Sequence, residues 1–259
     1  LIKVVVGGAT GKLGRLVCEL VANQPDMQLV GGVVSPGSES IGRRLSSGAE
    51  IAGSDRLTDA VRDADVYVDL TSPAAAEMNL PAVRREGLNL VVGTTGLSAQ
   101  SLASLEASLG ADGTAAVVAP NFSVGVNVFF KTCQSLARAL PGYDVEIVEV
   151  HHNMKKDAPS GTARRAAEII SEAMGVERIV CGREGQVGAR GKEIGIHSVR
   201  AGDVVGEHTV IFAGRKERLE LTHRAHSREA LAEGCVMAIR WIADKKDGRI
   251  HSMEEVLGL

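Results

Sequence analysis

A short run of apolar, mostly β-branched residues, Ile2–Val6, leads directly into Gly7-Gly8-Ala9-Thr10-Gly11-Lys12-Leu13-Gly14. The run shows no alternation with polar residues, which predicts a parallel strand buried on both faces. Beyond the glycines, Leu13, Leu16, Val17, Leu20 and Val21 recur at helical spacing and define one apolar face. Gly8, Gly11 and Gly14 therefore sit on a turn from a buried strand into an amphipathic helix. Glycine permits the tight turn and lets backbone N–H groups approach a pyrophosphate, to which the helix N-terminus adds partial positive charge. Gly8, Ala9, Thr10, Gly11, Lys12 and Leu13 are thus candidates for a dinucleotide-binding loop.

The rhythm continues through the first half of the chain. Strands are predicted at Leu29–Val34, Val66–Leu70, Leu88–Val92 and Ala115–Val118, and helices at Thr58–Ala64, Ala74–Glu86 and Ala99–Leu109. Pro81 falls inside the second of these helices and predicts a kink or a break. Strands alternating with helices imply an α/β, Rossmann-type parallel sheet. From about Val124 the pattern changes to a helix (Val126–Leu140), a strand (Val145–Val150) and a helix (Thr162–Met174). Three strand-like runs follow with no helix between them, Ile194–Arg200, Glu207–Phe212 and Arg218–His223. They predict an α+β domain with a mixed sheet, helices on one face and the other face open to a partner. Ser227–Ala243 returns to helical spacing. The expected division is a dinucleotide domain over 1–122, completed by helices in 227–259, and a substrate-binding and oligomerisation domain over 123–226.

A dinucleotide site selective for NAD carries Asp or Glu at the end of the second strand, where it bonds the ribose 2′-hydroxyl. Here that strand ends Val33-Val34-Ser35-Pro36. No carboxylate repels a 2′-phosphate, and Lys12, Arg43 and Arg44 are available cations. The expectation is NADPH, or use of both NADPH and NADH.

The densest polar chemistry lies in Glu149-Val150-His151-His152-Asn153-Met154-Lys155-Lys156-Asp157-Ala158-Pro159-Ser160-Gly161-Thr162-Ala163. Adjacent histidines on an extended strand point to opposite sides, so two roles fit better than one shared metal, and no metal site is expected. Ser160 is a candidate helix N-cap. The N–H groups of Gly161 and Thr162, with the Thr162 hydroxyl and the Lys155 ammonium, suit a carboxylate. A histidine with an ordinary pKa near 6.5 delivers a proton at neutral pH.

The segment His151-His152-x-x-Lys155-x-Asp157-Ala158-Pro159-Ser160-Gly161-Thr162-Ala163 resembles the signature of the dihydrodipicolinate (4-hydroxy-tetrahydrodipicolinate) reductase family. Val92-Gly93-Thr94-Thr95-Gly96, Asn121–Asn127 and Val199–Thr209 agree with it in the right order. The resemblance implies reduction by NAD(P)H of a small cyclic dicarboxylate imine in lysine and diaminopimelate biosynthesis, by a homotetramer. It implies His151 as proton donor/acceptor and Lys155 as a second donor. His152, Gly161 and Thr162, with Ser160 beside them, correspond to substrate contacts. Gly8–Leu13 correspond to the cofactor loop, and Gly93, Thr94, Thr95, Ala119, Pro120, Asn121 and Phe122 to segments near the nicotinamide. The chain departs from the family pattern at the adenosine end, in Ser35-Pro36 and Thr71-Ser72-Pro73, where Ser35 and Thr71 take the family's cofactor-side positions.

Other readings find less support. A carbonyl reductase of the short-chain type needs Lys four residues after its Tyr, but Tyr67 and Tyr143 are followed at that spacing by Thr71 and Ile147. A semialdehyde dehydrogenase needs a reactive thiol, and none of the four cysteines lies in a basic loop. A dinucleotide-sensing regulator explains the glycine loop but leaves the His151–Thr162 cluster without a purpose. The net charge of −3 and the lack of Lys/Arg runs argue against nucleic acid. No stretch reaches the roughly 18 apolar residues of a membrane span. The expected setting is the cytoplasm.

Overall fold

The structure, a computed structural model, describes residues 1–259. In chain order the elements are β1 (Ile2–Gly7), α1 (Lys12–Ala22), β2 (Met27–Val34), β3 (Ile51–Gly53), α2 (Leu57–Val61), β4 (Val66–Asp69), α3 (Pro73–Arg85), β5 (Asn89–Val92), α4 (Ala99–Asp112) and β6 (Ala116–Val118). Then come α5 (Val124–Ala139), β7 (Asp144–His151), α6 (Gly161–Met174), β8 (Ile179–Cys181), β9 (Ile194–Arg200), β10 (Gly206–Ala213) and β11 (Arg218–Ala225). The chain ends with α7 (Glu229–Ile242), β12 (Ile250–His251) and α8 (Met253–Leu257). It forms two compact units, Leu1–Val124 with Glu229–Leu259, and Gly125–Arg228.

The first unit is built on a seven-stranded sheet in the order β12-β6-β5-β4-β1-β2-β3, every pair parallel. Alternation along β1 divides the core. Val4 and Val6 face α1 and α7, packing with Val17, Cys18, Val21, Cys235 and Ile239. Val5 faces the opposite layer with Tyr67, Leu80, Val83, Leu90 and Leu109. Burial on both faces accounts for the unbroken apolar run. The C-terminal return is anchored by Asn89, 1% exposed, whose Nδ2 donates to the carbonyls of Ile242, Ala243 and Lys245 at 2.7, 3.0 and 3.2 Å. One amide thereby satisfies orphan carbonyls at the end of α7.

The second unit holds a five-stranded mixed sheet, β11-β10-β7-β9-β8. β10 is antiparallel to β7 and β11, while β9 is parallel to β7 and β8. Val145, Ile147, Ile194, Ile196, Val210 and Phe212 pack beneath α5 and α6 with Phe129, Cys133, Ala166 and Ile170. The opposite face carries Val148, Val150, Thr209 and Ile211, all half-buried, and the exposed Val199.

Two local expectations are corrected. Helix α3 runs unbroken through Pro81. Pro81 and Glu77, whose carbonyl loses its N–H partner, are both exposed, so water takes over that acceptor. Helix α2 ends at Val61 rather than Ala64, and Ala64 closes a turn by donating its N–H to the Val61 carbonyl. Four short elements, β3, β8, β12 and α8, carry too few residues to generate a readable period.

Gly14 marks the tightest junction of the glycine turn, because a Cβ there would lie 2.1 Å from the Gly8 carbonyl oxygen. Gly14→Ala must push α1 away from β1 and should cost about 1–3 kcal/mol. Chemical denaturation checks this; an unchanged midpoint would show that the junction has slack.

Candidate active site

In the first unit, the carboxyl ends of parallel β1, β4, β5 and β6 bring four loops to one edge of the sheet. In doubly wound sheets this edge binds dinucleotides. Gly8 has a φ of +76°, and a Cβ there would meet the Leu70 carbonyl oxygen at 2.4 Å. The Gly8 and Ala9 amides donate to the Val33 carbonyl at 2.8 and 3.3 Å, and Gly11 donates to Gly8 at 2.9 Å. This closes the turn on itself. Helix α1 starts at Lys12 with Gly11 as N-cap, no capping side chain and no acidic residue in its first turn. Its first amides are therefore left for an external acceptor. The glycine cradle and this uncapped start fit a pyrophosphate.

Ser35 is exposed just past β2, as are Lys12 and Arg43. Arg44 is engaged in its own turn, with Nη1 donating to the Gly48 carbonyl at 2.7 Å. The loops after β4 and β5 are tied together by Asp69, which is fully buried. Its Oδ1 accepts from the Thr71 hydroxyl at 2.7 Å and the Thr94 hydroxyl at 2.5 Å, and Thr94 Oγ1 accepts the Thr71 amide at 2.9 Å. Both hydroxyls thus turn inward; what these loops offer outward is backbone and the exposed Thr95. Phe122 is likewise a core residue, 2% exposed. Its ring occupies the space beside Gly93, where a Cβ would clash at 2.7 Å. Gly234 of α7 lets that helix press on the same segment, since a Cβ there would lie 1.8 Å from the Phe122 carbonyl oxygen. Pro120 and Asn121 remain accessible, while Ala119 is buried.

In the second unit, β7 ends in Glu149-Val150-His151. Period-two alternation buries Glu149 and His151 on the helix-covered face, while His152 beyond them is half-buried. Glu149 Oε2 lies 2.5 Å from His151 Nδ1. Arg200, at the end of β9, grips the same carboxylate with both terminal nitrogens, each at 2.8 Å. The Ser160 amide donates to Glu149 Oε1 at 3.1 Å. Ser160 caps α6 by accepting the Ala163 amide at 3.2 Å, and its hydroxyl meets His208 Nε2 at 3.0 Å. The amides of Gly161 and Thr162 belong to the first turn, which has no internal acceptors and no acidic side chain. Lys155 lies in the same loop, its Nζ on both oxygens of Asp157 at 2.8 and 2.9 Å. This unit thus gathers His151, His152, Lys155, Ser160, Gly161 and Thr162 around one buried carboxylate and one open helix start.

The sequence matches the family models described as dihydrodipicolinate reductase, N-terminus, over residues 2–122, and C-terminus, over residues 125–257. The chain belongs to the dihydrodipicolinate reductase family. It is 48% identical over 265 residues to the 4-hydroxy-tetrahydrodipicolinate reductase of Methanosarcina barkeri, covering 100% of both chains. It is 47% identical over 272 residues to that of Methanothermobacter thermautotrophicus, again covering 100% of both. Among solved structures it resembles a dipicolinate-bound dihydrodipicolinate reductase from Paenisporosarcina sp. TG-14, with a TM-score of 0.79, 28% identity and 98% of each chain covered.

The electrostatics of this candidate site rest on residues to which motif reading gave no role. Burial opposes charge on Glu149, but the Arg200 fork and bonds from Ser198, His151 and Ser160 outweigh it and hold the carboxyl at about 2. The ordinary pKa expected for His151 is corrected: burial, with Lys155 and Arg200, lowers it against the opposing pull of Glu149. Its ring is therefore neutral at rest, with Nδ1 facing the Glu149 carboxylate. His208 packs edge-on to His151 at 5.1 Å between centroids, and burial lowers its pKa to about 3. The Val199–Thr209 stretch contained Arg200 and His208. The signal that marks them is strand alternation, which pairs Arg200 with His151 and His208 with Glu149 in register.

A neutral buried histidine makes stability depend on acid. His208 binds a proton in the unfolded chain near 6.5 but only near 3 when folded, so its contribution is present above pH 6.5 and is lost as pH falls toward 3. Glu149, held at about 2 against an ordinary 4.5, loses its contribution only below 4.5. Between pH 4.5 and 6.5, above the range in which Glu149 titrates, His208→Gln should flatten the fall of unfolding free energy with pH. An unchanged slope in denaturant titrations would place the acid sensitivity elsewhere.

Proposed function

We propose that the chain catalyses NAD(P)H-dependent reduction of 4-hydroxy-tetrahydrodipicolinate, by way of its dehydrated cyclic imine, to tetrahydrodipicolinate in lysine and diaminopimelate biosynthesis. The observation that carries this is the second unit's pairing of a buried, carboxylate-bound His151 with the open first turn of α6 and Lys155. A relative whose solved structure holds dipicolinate supports a planar dicarboxylate as the occupant. A reduced nicotinamide dinucleotide, held by its pyrophosphate at the Gly8–Leu13 loop, would supply a hydride. The Gly161 and Thr162 amides and the Thr162 hydroxyl hold one substrate carboxylate, with Ser160 fixing the turn that presents them. Lys155 exchanges Asp157 for substrate charge, and His152 flanks the same loop.

Hydride addition to a conjugated imine leaves an enamine-like system that must gain a proton. His151 delivers it, with Lys155 as second donor. His151 is neutral in the empty site, and the negative charge of the bound dicarboxylate raises its proton affinity when a proton is needed. On this reading His151→Gln lowers kcat by about 10²–10⁴, the usual worth of general acid catalysis, while coenzyme affinity holds. A folded variant with wild-type kcat would remove His151 from the chemistry. Thr162→Val deletes one donor and should weaken substrate affinity by roughly 1–3 kcal/mol, with coenzyme affinity unchanged; equal loss of both would indicate misfolding instead.

The coenzyme reading is NADPH or dual use, supported by exposed Ser35 where an NAD site carries a carboxylate and by exposed Lys12 and Arg43 nearby. Ser35→Glu should penalise NADPH through repulsion of the 2′-phosphate. A wild type that uses NADH tenfold better, about 1.4 kcal/mol, would contradict this reading. The open face of the second sheet, with Val148, Val150, Ile211 and exposed Val199, supports self-association as a homotetramer. No helix is long and apolar enough to cross a membrane. A role in lysine and diaminopimelate biosynthesis supports a cytoplasmic setting.

A further inference from the structure

The reaction as read above uses His151 and leaves its carboxylate partner unassigned. Glu149 is fully buried, and each of its oxygens is committed. Oε2 takes His151 Nδ1 and Arg200 Nη1; Oε1 takes Arg200 Nη2 and the Ser160 amide. A carboxylate held from β7, β9 and the start of α6 cannot turn away from the ring. We propose that Glu149 is a positioning residue for His151, fixing the tautomer with Nδ1 protonated so that Nε2 is the atom that takes up and delivers the proton. The inference rests on the reading of His151 as the acid.

The surroundings of the ring support this division of labour. His151 Nε2 lies beside Gly206, where a Cβ would stand 3.0 Å from it, so a glycine keeps that side open. The charged and titratable groups facing the ring are Glu149 on its own strand, Arg200 on β9, His208 on β10 and Lys155 on the following loop. Burial, Lys155 and Arg200 all disfavour the imidazolium; Glu149 alone favours it. Arg200 also has a second part, because its fork holds Glu149 ionised. The proton therefore stays on the imidazole instead of passing to the carboxylate. This is the logic by which a buried carboxylate orients a catalytic histidine in hydrolases without itself becoming protonated.

Two measurements on the full-length enzyme test the proposal. In Glu149→Gln, kcat at neutral pH should fall at least about tenfold with coenzyme affinity held. The alkaline limb of the kcat profile should move about one unit lower, a tenfold change in the protonated fraction. A carboxylate that only braces the fold would reduce the active fraction and leave the limb in place; an unmoved limb overturns the proposal. Should this variant fail to fold, nitrogen-15 NMR of the wild-type His151 ring decides. Above its pKa the ring should be the Nδ1–H tautomer with a bare Nε2, and an Nε2–H tautomer overturns the proposal. Failure of the underlying acid assignment is distinguishable: His151→Gln would then keep wild-type kcat while the tautomer stayed as described, and Glu149 would position nothing catalytic.

Discussion

A carboxylate removed entirely from water organises the second unit. An unpaired buried charge costs several kcal/mol, and Glu149 avoids that cost only because Arg200, His151 and the Ser160 amide all converge on it. Arg200 extends the same tie to the Asp157 carbonyl, so the loop carrying Lys155 is held by the same ion pair. Placing Glu149 at the end of β7 thereby sets the strand end, the loop and the helix entry together. Such a network is sensitive to any missing member, since each would leave a buried partner unsatisfied.

On the proposed reading both units offer a helix start to an anion, and the contrast with a third helix shows what that requires. Helices α1 and α6 have no acidic residue in the first turn, and Ser160 satisfies only the Ala163 amide. Helix α8 begins instead with a capping box, in which Ser252 and Glu255 satisfy each other's backbone amides. It has used its own carboxylate, where on the proposed reading α1 takes a pyrophosphate and α6 a substrate carboxylate. In the first unit the glycines keep the turn after β1 free of side chains, while Asp69 holds the loops after β4 and β5 in register. The proposed sites thus rest on backbone geometry in one unit and on a buried charge network in the other.

Much of this was legible in the residues themselves. Unbroken apolar runs announce parallel strands buried on both faces, and Ile194–Arg200 was readable as a strand to its last residue. The His151–Thr162 cluster stood out as a candidate site because its residues lie close in sequence. Arg200 and His208 were harder to see, since they reach the site only through strand pairing across tens of residues. Asn89 was similarly silent, its task being set by a helix end more than a hundred positions away. Thr94 and Phe122 lie in segments that the family pattern links to the cofactor, yet their side chains serve the interior. A motif marks a segment; only packing tells which of its atoms face outward.

The central claim is that an anionic dicarboxylate enters a site whose histidine is neutral until that charge arrives. Titrating the isotopically labelled protein with pyridine-2,6-dicarboxylate, while following the Gly161 and Thr162 amides and the His151 ring, tests it most directly. The account predicts that both amides shift on binding and that the His151 pKa rises above its value in the free protein. Binding that leaves the two amides unmoved, or that leaves the His151 pKa unchanged or lower, would contradict it.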